Sequence, residues 1–567
     1  MISVSGKNWI EKKINKNLIE KIKQDFNFSE IISRLIVSRN FDLSEIYSIN
    51  NSCSFINDFK KDNDFNKASL ILENCIKKKE LICIFGDYDV DGISSTSIFI
   101  NFFQYIKQPY FFYIPDRERD GYGPSKSLFQ KLIIKKPKLV LMLDCGSNSN
   151  EAIKYLNDNN VKSIIIDHHE INKPFPKSNV IINLKKNTNN NLKDYLCTTA
   201  LSYFFLEIII KKIKSSFNLS DHLIYVLMAL VCDVMPLRKI NRFIALNLIN
   251  KFKIDDNIIF KTLYDLSKKN NKLSIDDLGY FIGPIINSAG RLSNSDDAVV
   301  LLTSKSPMII KKKSLELIKL NNKRKEIENK LLTEINFEKI QKENKKVIIY
   351  YRPNMSEGLI GIIASRLKDY FNKPSIVITN SKNLLKGSAR STTNYNISNV
   401  IKKMIDMKLI INGGGHHMAA GFTIKKNNLE NFKNYLLKDY NVKNNKFSIL
   451  NTYDSEISSS AINQSFINEI NKLQPYGNEN GQPIFLIKEL KTIKITKINN
   501  KHISLILKPS VGKAIKSISF NSINTPIGNK LISYKKKIHV IGQIKENNWN
   551  NKNNIQLNIL DIIIKTN

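Results

Sequence analysis

Four short acidic stretches are the residues in this sequence best placed to do chemistry. Asp87, Asp89 and Asp91 alternate in GDYDVDG, where Gly92 lets the chain turn into the next element. Asp144 follows LVLML, the run Asp167-His168-His169 follows VKSIII, and Asp233 stands in ALVCDVMPL. Taken singly, each is a weak signal, because a lone aspartate at a turn or a lone histidine is more often structural. Only seven His occur in the chain, so two adjacent ones behind an aspartate carry more weight. A mixed set of carboxylates and imidazole suits a pair of divalent cations, with Mn²⁺ favoured over Mg²⁺ where nitrogen ligands enter. Two such ions close together activate a water and stabilise the leaving oxygen of an in-line phosphoryl displacement. A calcium loop of DxDxDG type is the alternative, but its closing carboxylate is missing, since that position is Ile98.

These residues need elements to position them. LICIF precedes GDYDVDG, LVLML precedes DCGS, and VKSIII precedes DHHE, with amphipathic stretches such as SSTSIFINFFQYI and SNEAIKYLNDN between them. Strands alternating with helices predict an α/β fold with a doubly wound parallel sheet. Ligand groups gather at the carboxyl ends of strands in such sheets, which is where the acidic clusters fall. The pattern places this domain at about 61–304, with a mainly helical extension from residue 216, behind a polar, helical N-terminal segment over 1–60. Ser306-Pro307 reads as an N-cap with Pro at the first helical position, opening a connecting helix over about 305–344. KVIIYY, IGIIASRLKDYF and PSIVIT predict a second, smaller α/β domain over about 345–428, ending in GGGHHMAAGFTI. From 445 to 567 the runs IFLIKEL, KTIKITKI, HISLILK, KSISF, KIHVIGQI and IQLNILDI predict a small barrel, with the OB fold the leading candidate.

A chain of 567 residues exceeds what one core supports, in line with several domains. The six Cys include no CxxC pair, which argues against a zinc ribbon or disulfide framework and for a reducing cytoplasm. No apolar run reaches the roughly 18 residues a membrane span needs, and MISVSGKNWIEKK lacks a secretory h-region. A net charge of +36 suits a nucleic-acid partner, although a sequence so rich in Lys, Asn and Ile owes part of that excess to coding bias. Arginine is more telling. Only 11 of the 87 basic residues are Arg, and none follows position 390. Where Lys is the default, a retained Arg marks a place that needs the planar, bidentate guanidinium. Arg117, Arg119, Arg291 and Arg390 all lie in unusual local sequence.

GDYDVDG, DCGS, DHH and CDVMPL, in this order, resemble the four motifs of the DHH phosphoesterase superfamily. IPDRERDGYG (114–123), GPIINSAGRL (283–292), EGLIGIIASRL (357–367), GSARS (387–391) and GGHHMAAG (414–421) resemble its RecJ branch. QPYGNENGQPIF (474–485) and NNWNNKNNIQL (547–557) are similar to that branch's oligonucleotide-binding domain. The resemblance implies metal binding by Asp87, Asp89, Asp91, Asp144, His168 and Asp233, through two divalent cations, Mn²⁺ or Mg²⁺. It implies that His169 touches the scissile phosphate or shuttles a proton, with Asp167 of the same motif in the catalytic set, and that Arg291 offsets charge on the phosphoryl oxygens. Ser388, Arg390 and Arg117 match a pocket for the 5′-terminal phosphate, with Tyr122 stacking on a nearby base. His416 matches a contact to the DNA backbone, with Gly414 and Gly415 allowing close approach.

Several positions depart from that pattern. Phe85 and Ser356 stand where relatives carry His, Ala389 replaces a Gly, His417 is an added imidazole, and LCTTALSYFF (196–205) lacks the usual Gly-rich spacing. No essential carboxylate is lost. The resemblance therefore implies a cytoplasmic bacterial enzyme, nucleoid-associated when acting and expected to be a monomer, that hydrolyses single-stranded DNA from its 5′ end to 5′-mononucleotides. It implies roles in repair and recombination, with a single-strand-binding protein and a helicase as expected partners. Two alternatives remain open at this point. A phosphodiesterase for very short substrates would lack the barrel after 445, and a noncatalytic DNA-binding scaffold would have lost the acidic motifs.

Overall fold

The computed structural model describes residues 1–51, 55–121, 123–186, 195–269, 272–444, 450–547 and 554–564. The chain divides into two compact units, one of residues 54–236 and 247–446, the other of 1–53, 237–246 and 447–567. Among the described residues, no helix is long and apolar enough to cross a membrane.

The first unit is built on two sheets. Its five-stranded sheet runs Tyr110–Tyr113, Ile82–Gly86, Leu139–Leu143, Lys162–Ile166, Val180–Ile182, with every neighbouring pair parallel. ICIFG and LVLML are buried along their whole length, as strands covered on both faces must be. On one face Phe85, Phe129, Met142, Ile153 and Leu156 share a core cluster. The helix Val90–Tyr105 begins where the Ile82–Gly86 strand ends and packs against the helices Thr198–Lys212 and Leu223–Cys232. The expected long helix is Pro307–Glu334, entered through Ser306 with Pro307 in its first turn. The second sheet has the order Asn412–His416, Ala419–Ile424, Leu384–Arg390, Ser375–Ser381, Ile348–Tyr351, and only its last pair is parallel. Burial alternates along Leu384–Arg390, with Leu385, Gly387 and Ala389 inward, so Ser388 and Arg390 share the opposite face.

In the second unit five strands close a barrel, through pairing of Phe485–Ile498 with Ile538–Asn547. IFLIKEL and KTIKITKI, expected as two strands, are one strand of 14 residues. A left-handed residue, Glu489 (φ 58°), and a register shift between Thr492 and Lys494 bend it, so its halves pair with different neighbours. The segment 1–60 is not uniformly helical as expected. Asn8–Glu11 forms a strand parallel to Leu450–Tyr453. Beside it the buried Asp561 accepts hydrogen bonds from Ser3 Oγ (2.7 Å), Ser5 Oγ and Trp9 Nε1 (2.9 Å). The helix Glu30–Ser38 adds Ile32, Leu35 and Ile36 to the apolar cluster that fills the barrel.

Candidate metal and phosphate site

Three strand ends and one helix end deliver the acidic residues. Asp87 leaves the Ile82–Gly86 strand, and Asp89 caps the next helix by accepting from the amides of Asp91 (3.0 Å) and Gly92 (3.2 Å). Asp91 is pinned by the amides of Thr198 and Thr199, both at 2.7 Å, and by Thr199 Oγ1 at 2.6 Å. Asp144 turns out of its strand in a left-handed conformation (φ 64°) and accepts from Thr198 Oγ1 at 3.0 Å. His168 Nε2 then lies 3.0 Å from Asp233, 3.4 Å from Asp144 and 3.7 Å from Asp91. All six expected ligands are thus brought together.

The donors fit divalent cations. Three groups, Asp144/His168/His169, Asp91/His168/Asp233 and Asp87/Asp89/Asp144, hold ligand atoms within 4.8 Å of one another. Asp87 Oδ1 and Asp144 Oδ2 are buried without a hydrogen-bond partner, which is costly unless a cation meets them. Burial, followed by the Asp89 charge, pushes Asp87 up to about 8. Burial, followed by Asp91 and Asp89, raises Asp144 well above the carboxylate range. Asp167 is held against His169. Its Oδ1 accepts from His169 Nδ1 (2.8 Å) and the amides of His168 and His169, and its Oδ2 accepts from the Ser147 amide, so it orients His169. Burial disfavours a charged His169 imidazole, but Asp167 outweighs this and lifts His169 to about 9.

Beside the carboxylates lies a group of guanidiniums. Arg117 stacks over the Tyr88 ring at 4.1 Å, and its Nε is buried without a partner. Arg291 Nη1 donates to the Gly358 carbonyl at 3.0 Å, and Arg390 Nη1 donates to the Ala389 carbonyl (3.0 Å) and Ser388 Oγ (3.2 Å). A Cβ on Gly361 would stand 3.1 Å from Arg390 Nη2, so glycine there keeps this face of the Glu357–Phe371 helix open. None of these three arginines makes an ion pair among the described residues. Burial, then the charges of Arg117, Arg324 and Arg390, lowers Arg291 to about 10. Arg119, by contrast, is exposed and pairs with Asp116. The His416 ring stacks 5.6 Å from His169, so the glycine-rich hairpin reaches the metal residues. Gly415 is required there by its φ of 151° and by the Ala419 carbonyl, 2.2 Å from where a Cβ would be, whereas Gly414 faces open space. Tyr122 and residues 548–553 lie outside the described residues.

Thr198, Thr199 and Asn287 were not foreseen. Asn287 Oδ1 accepts from the Val90 amide at 3.1 Å, locking the acidic loop to the Gly283–Leu292 helix. A Thr-Thr pair at the start of the Thr198–Lys212 helix was the available signal. The same helix makes Gly290 sensitive, because a Cβ would fall 2.4 Å from the Tyr88 carbonyl. Gly290→Ala is therefore expected to push Asp87–Asp91 out of register and cut hydrolysis at least about tenfold, with little change in far-UV circular dichroism; an unchanged rate would refute this.

The DHH family N-terminal domain model matches residues 81–230, the DHHA1 domain model 344–440, and the RecJ OB domain model 453–561. The single-stranded-DNA-specific exonuclease RecJ of Bacillus subtilis is 26% identical over 580 residues, covering 99% of this chain and 71% of that protein. The structure of Thermus thermophilus RecJ with Mn²⁺ superposes with a TM-score of 0.81 at 19% identity, covering 99% of this chain and 80% of that one. The Mg²⁺ form gives 0.75 at 18% identity, covering 99% and 79%. The chain belongs to the RecJ family of DHH-domain proteins.

The departures from the RecJ pattern have local explanations. Phe85 is fully buried and packs on Phe129 (5.4 Å) and Tyr113 (5.9 Å), on the core side of the sheet. Phe85→Ala should cost about 3–5 kcal/mol, read as a lowered denaturation midpoint; unaltered Mn²⁺ affinity in the folded protein would show that no ligand was lost. Ser356 caps the Glu357–Phe371 helix by accepting from the Gly358 amide, and its hydroxyl lies 3.4 Å from Glu118. Ala389 is fully buried in the second sheet's core, and His417 is exposed. In this RecJ-family chain the segment without Gly-rich spacing, LCTTALSYFF, supplies Thr198 and Thr199 to the site.

Proposed function

We propose that this chain is a divalent-cation-dependent exonuclease that removes 5′-mononucleotides from the 5′ end of single-stranded DNA. One observation carries the reading: a buried carboxylate cluster with unpaired oxygens adjoins three arginines without ion pairs, close enough for the Arg117 charge to act on Asp87. Asp87, Asp89, Asp91, Asp144, His168 and Asp233 would hold two ions, Mn²⁺ or Mg²⁺. When bound, such ions supply a nucleophilic water and neutralise the leaving oxygen. The chain's own residues do the rest. Arg390, Ser388 and Arg117 anchor the terminal phosphate, so the first phosphodiester meets the carboxylates and one nucleotide leaves per cycle. Arg291 offsets charge on the phosphoryl oxygens, His416 contacts a backbone phosphate, and His169, whose Nδ1 donates to Asp167, touches the scissile phosphate or shuttles a proton. Residues 445–567 hold the incoming strand by stacking and phosphate contacts. The names of the relatives support single-stranded DNA as substrate. A role in repair and recombination beside a helicase and a single-strand-binding protein, as a cytoplasmic monomer, belongs to the same proposal. So do the boundaries read from the sequence, 61–304 for the catalytic domain and 345–428 for the smaller one.

The test is digestion of 5′-phosphorylated single-stranded DNA with Mn²⁺, beside its duplex, a 5′-hydroxyl strand, an RNA strand and Asp89→Ala. Stepwise 5′ loss from single-stranded DNA alone, absent in the variant, supports the reading. Turnover of di- or trinucleotides only would replace it with a small-substrate phosphodiesterase.

A further inference from the structure

Two of the scarce arginines, Arg324 and Arg366, were given no contact to substrate or metal above. Both meet Glu328, which is 4% exposed: Arg324 Nη1 donates to one carboxylate oxygen at 2.9 Å and Arg366 Nε to the other at 2.7 Å. Arg324 Nε is also fixed, donating to Asn321 Oδ1 at 3.0 Å, and Asn321 is itself buried. Asn321, Arg324 and Glu328 are spaced i, i+3 and i+7, one face of the Pro307–Glu334 helix. That helix packs on the one bearing Arg291, where Ser288 Oγ donates to the Leu317 carbonyl at 3.3 Å. The helix bearing Arg366 starts at the turn whose Gly358 carbonyl receives Arg291. Arg324 therefore sits where three helices converge behind Arg291.

Resting on the reading that the substrate is single-stranded DNA, we propose that Arg324 is a further substrate-binding residue, taking a backbone phosphate next to the one held by Arg291. One buried carboxylate against two guanidiniums leaves a surplus positive charge. Arg324 Nη2 has no hydrogen bond among the described residues, while its other nitrogens are clamped in a fixed plane. A purely structural ion pair could have been made by Lys, which this sequence uses in 76 of its 87 basic positions. The Arg324 charge also contributes to lowering the proton affinity of Arg291, as expected of two nearby cations.

The experiment is binding of 5′-phosphorylated oligo(dT) to the full chain in EDTA, followed by fluorescence anisotropy across an NaCl series. R324Q is expected to weaken binding about tenfold and to reduce the slope of log K against log salt by about 0.7, one single-strand phosphate contact. R324K should keep the slope, and R366Q, which leaves Arg324 on Glu328, should bind as the unaltered chain does. Wild-type affinity and slope in R324Q would overturn the proposal. So would an equal loss in R366Q, which would make the effect a disturbance of the Glu328 pairing. Failure of the exonuclease reading would appear separately, as absent hydrolysis with Mn²⁺, because the titration in EDTA uses no turnover.

Discussion

Asp144→Asn is expected to abolish hydrolysis while raising the melting temperature of the metal-free protein. The two effects share one cause. Asp144 stands within reach of His168 and His169 and groups with Asp87 and Asp89, and its Oδ2 is buried without a partner. Removing its charge takes away a carboxylate that would help to hold the cations, and a rate loss of at least roughly 10³-fold should follow. Without cations, however, the same carboxylate is one of several like charges confined in a low-dielectric site, held there at a cost in stability. Asparagine keeps the shape and the acceptor for Thr198 Oγ1 but drops the repulsion. A gain of about 1 kcal/mol would appear as ~2–4 °C in Tm for a domain of this size. Calorimetry in EDTA and then in Mn²⁺ separates the contributions: the unaltered chain should rise on adding Mn²⁺, and the variant should not. A variant that melts lower in EDTA would mean that Asp144 is held by bonds rather than strained by charge.

Arg390→Ala should erase discrimination between 5′-phosphorylated and 5′-hydroxyl strands. Its guanidinium is half-buried, fixed by Ser388 Oγ and the Ala389 carbonyl, and not neutralised by any carboxylate among the described residues. A terminal phosphate would gain charge-assisted hydrogen bonds here of about 1.5–3 kcal/mol. kcat/KM on the phosphorylated strand should therefore fall by roughly 10–100-fold, with little change on the hydroxyl strand. The four rates form a cycle whose coupling term measures the Arg390–phosphate contact. Equal losses on both strands would mean that Arg390 serves the scissile phosphate instead.

Much of this architecture was legible in the sequence because burial leaves a plain mark. LICIF and LVLML read as buried parallel strands since no residue in them is polar, and acids directly behind them could only lie at strand mouths. What escaped depended on geometry that residue type does not encode. IFLIKEL and KTIKITKI looked like two strands because Lys and Glu interrupt the apolar run. A left-handed Glu489 lets one strand bend there without breaking. The strand Asn8–Glu11 was missed because four residues carry too little periodicity to register against the helical signal around them. Within the site the candidate ligands were legible as acids and imidazoles with few other uses. Thr198, Thr199 and Asn287 were not, since they act through backbone and hydroxyl bonds that common polar residues make everywhere. Asp167 was visible as part of the DHH run, but its partner was not: the 2.8 Å contact to His169 Nδ1 is seen only in the structure.

The unit built from segments far apart in the sequence has a consequence for the order of events during translation. Ile32, Leu35 and Ile36 emerge from the ribosome early, yet the apolar cluster that receives them belongs to strands made after residue 447. At ~5–20 residues per second, the first helices wait on the order of 20–80 s for their partners. The unit bearing the acidic residues can be complete up to residue 446 before that wait ends. Nascent chains stalled near residue 440 should thus resist protease through the parallel sheet while staying cleavable near residues 20–40.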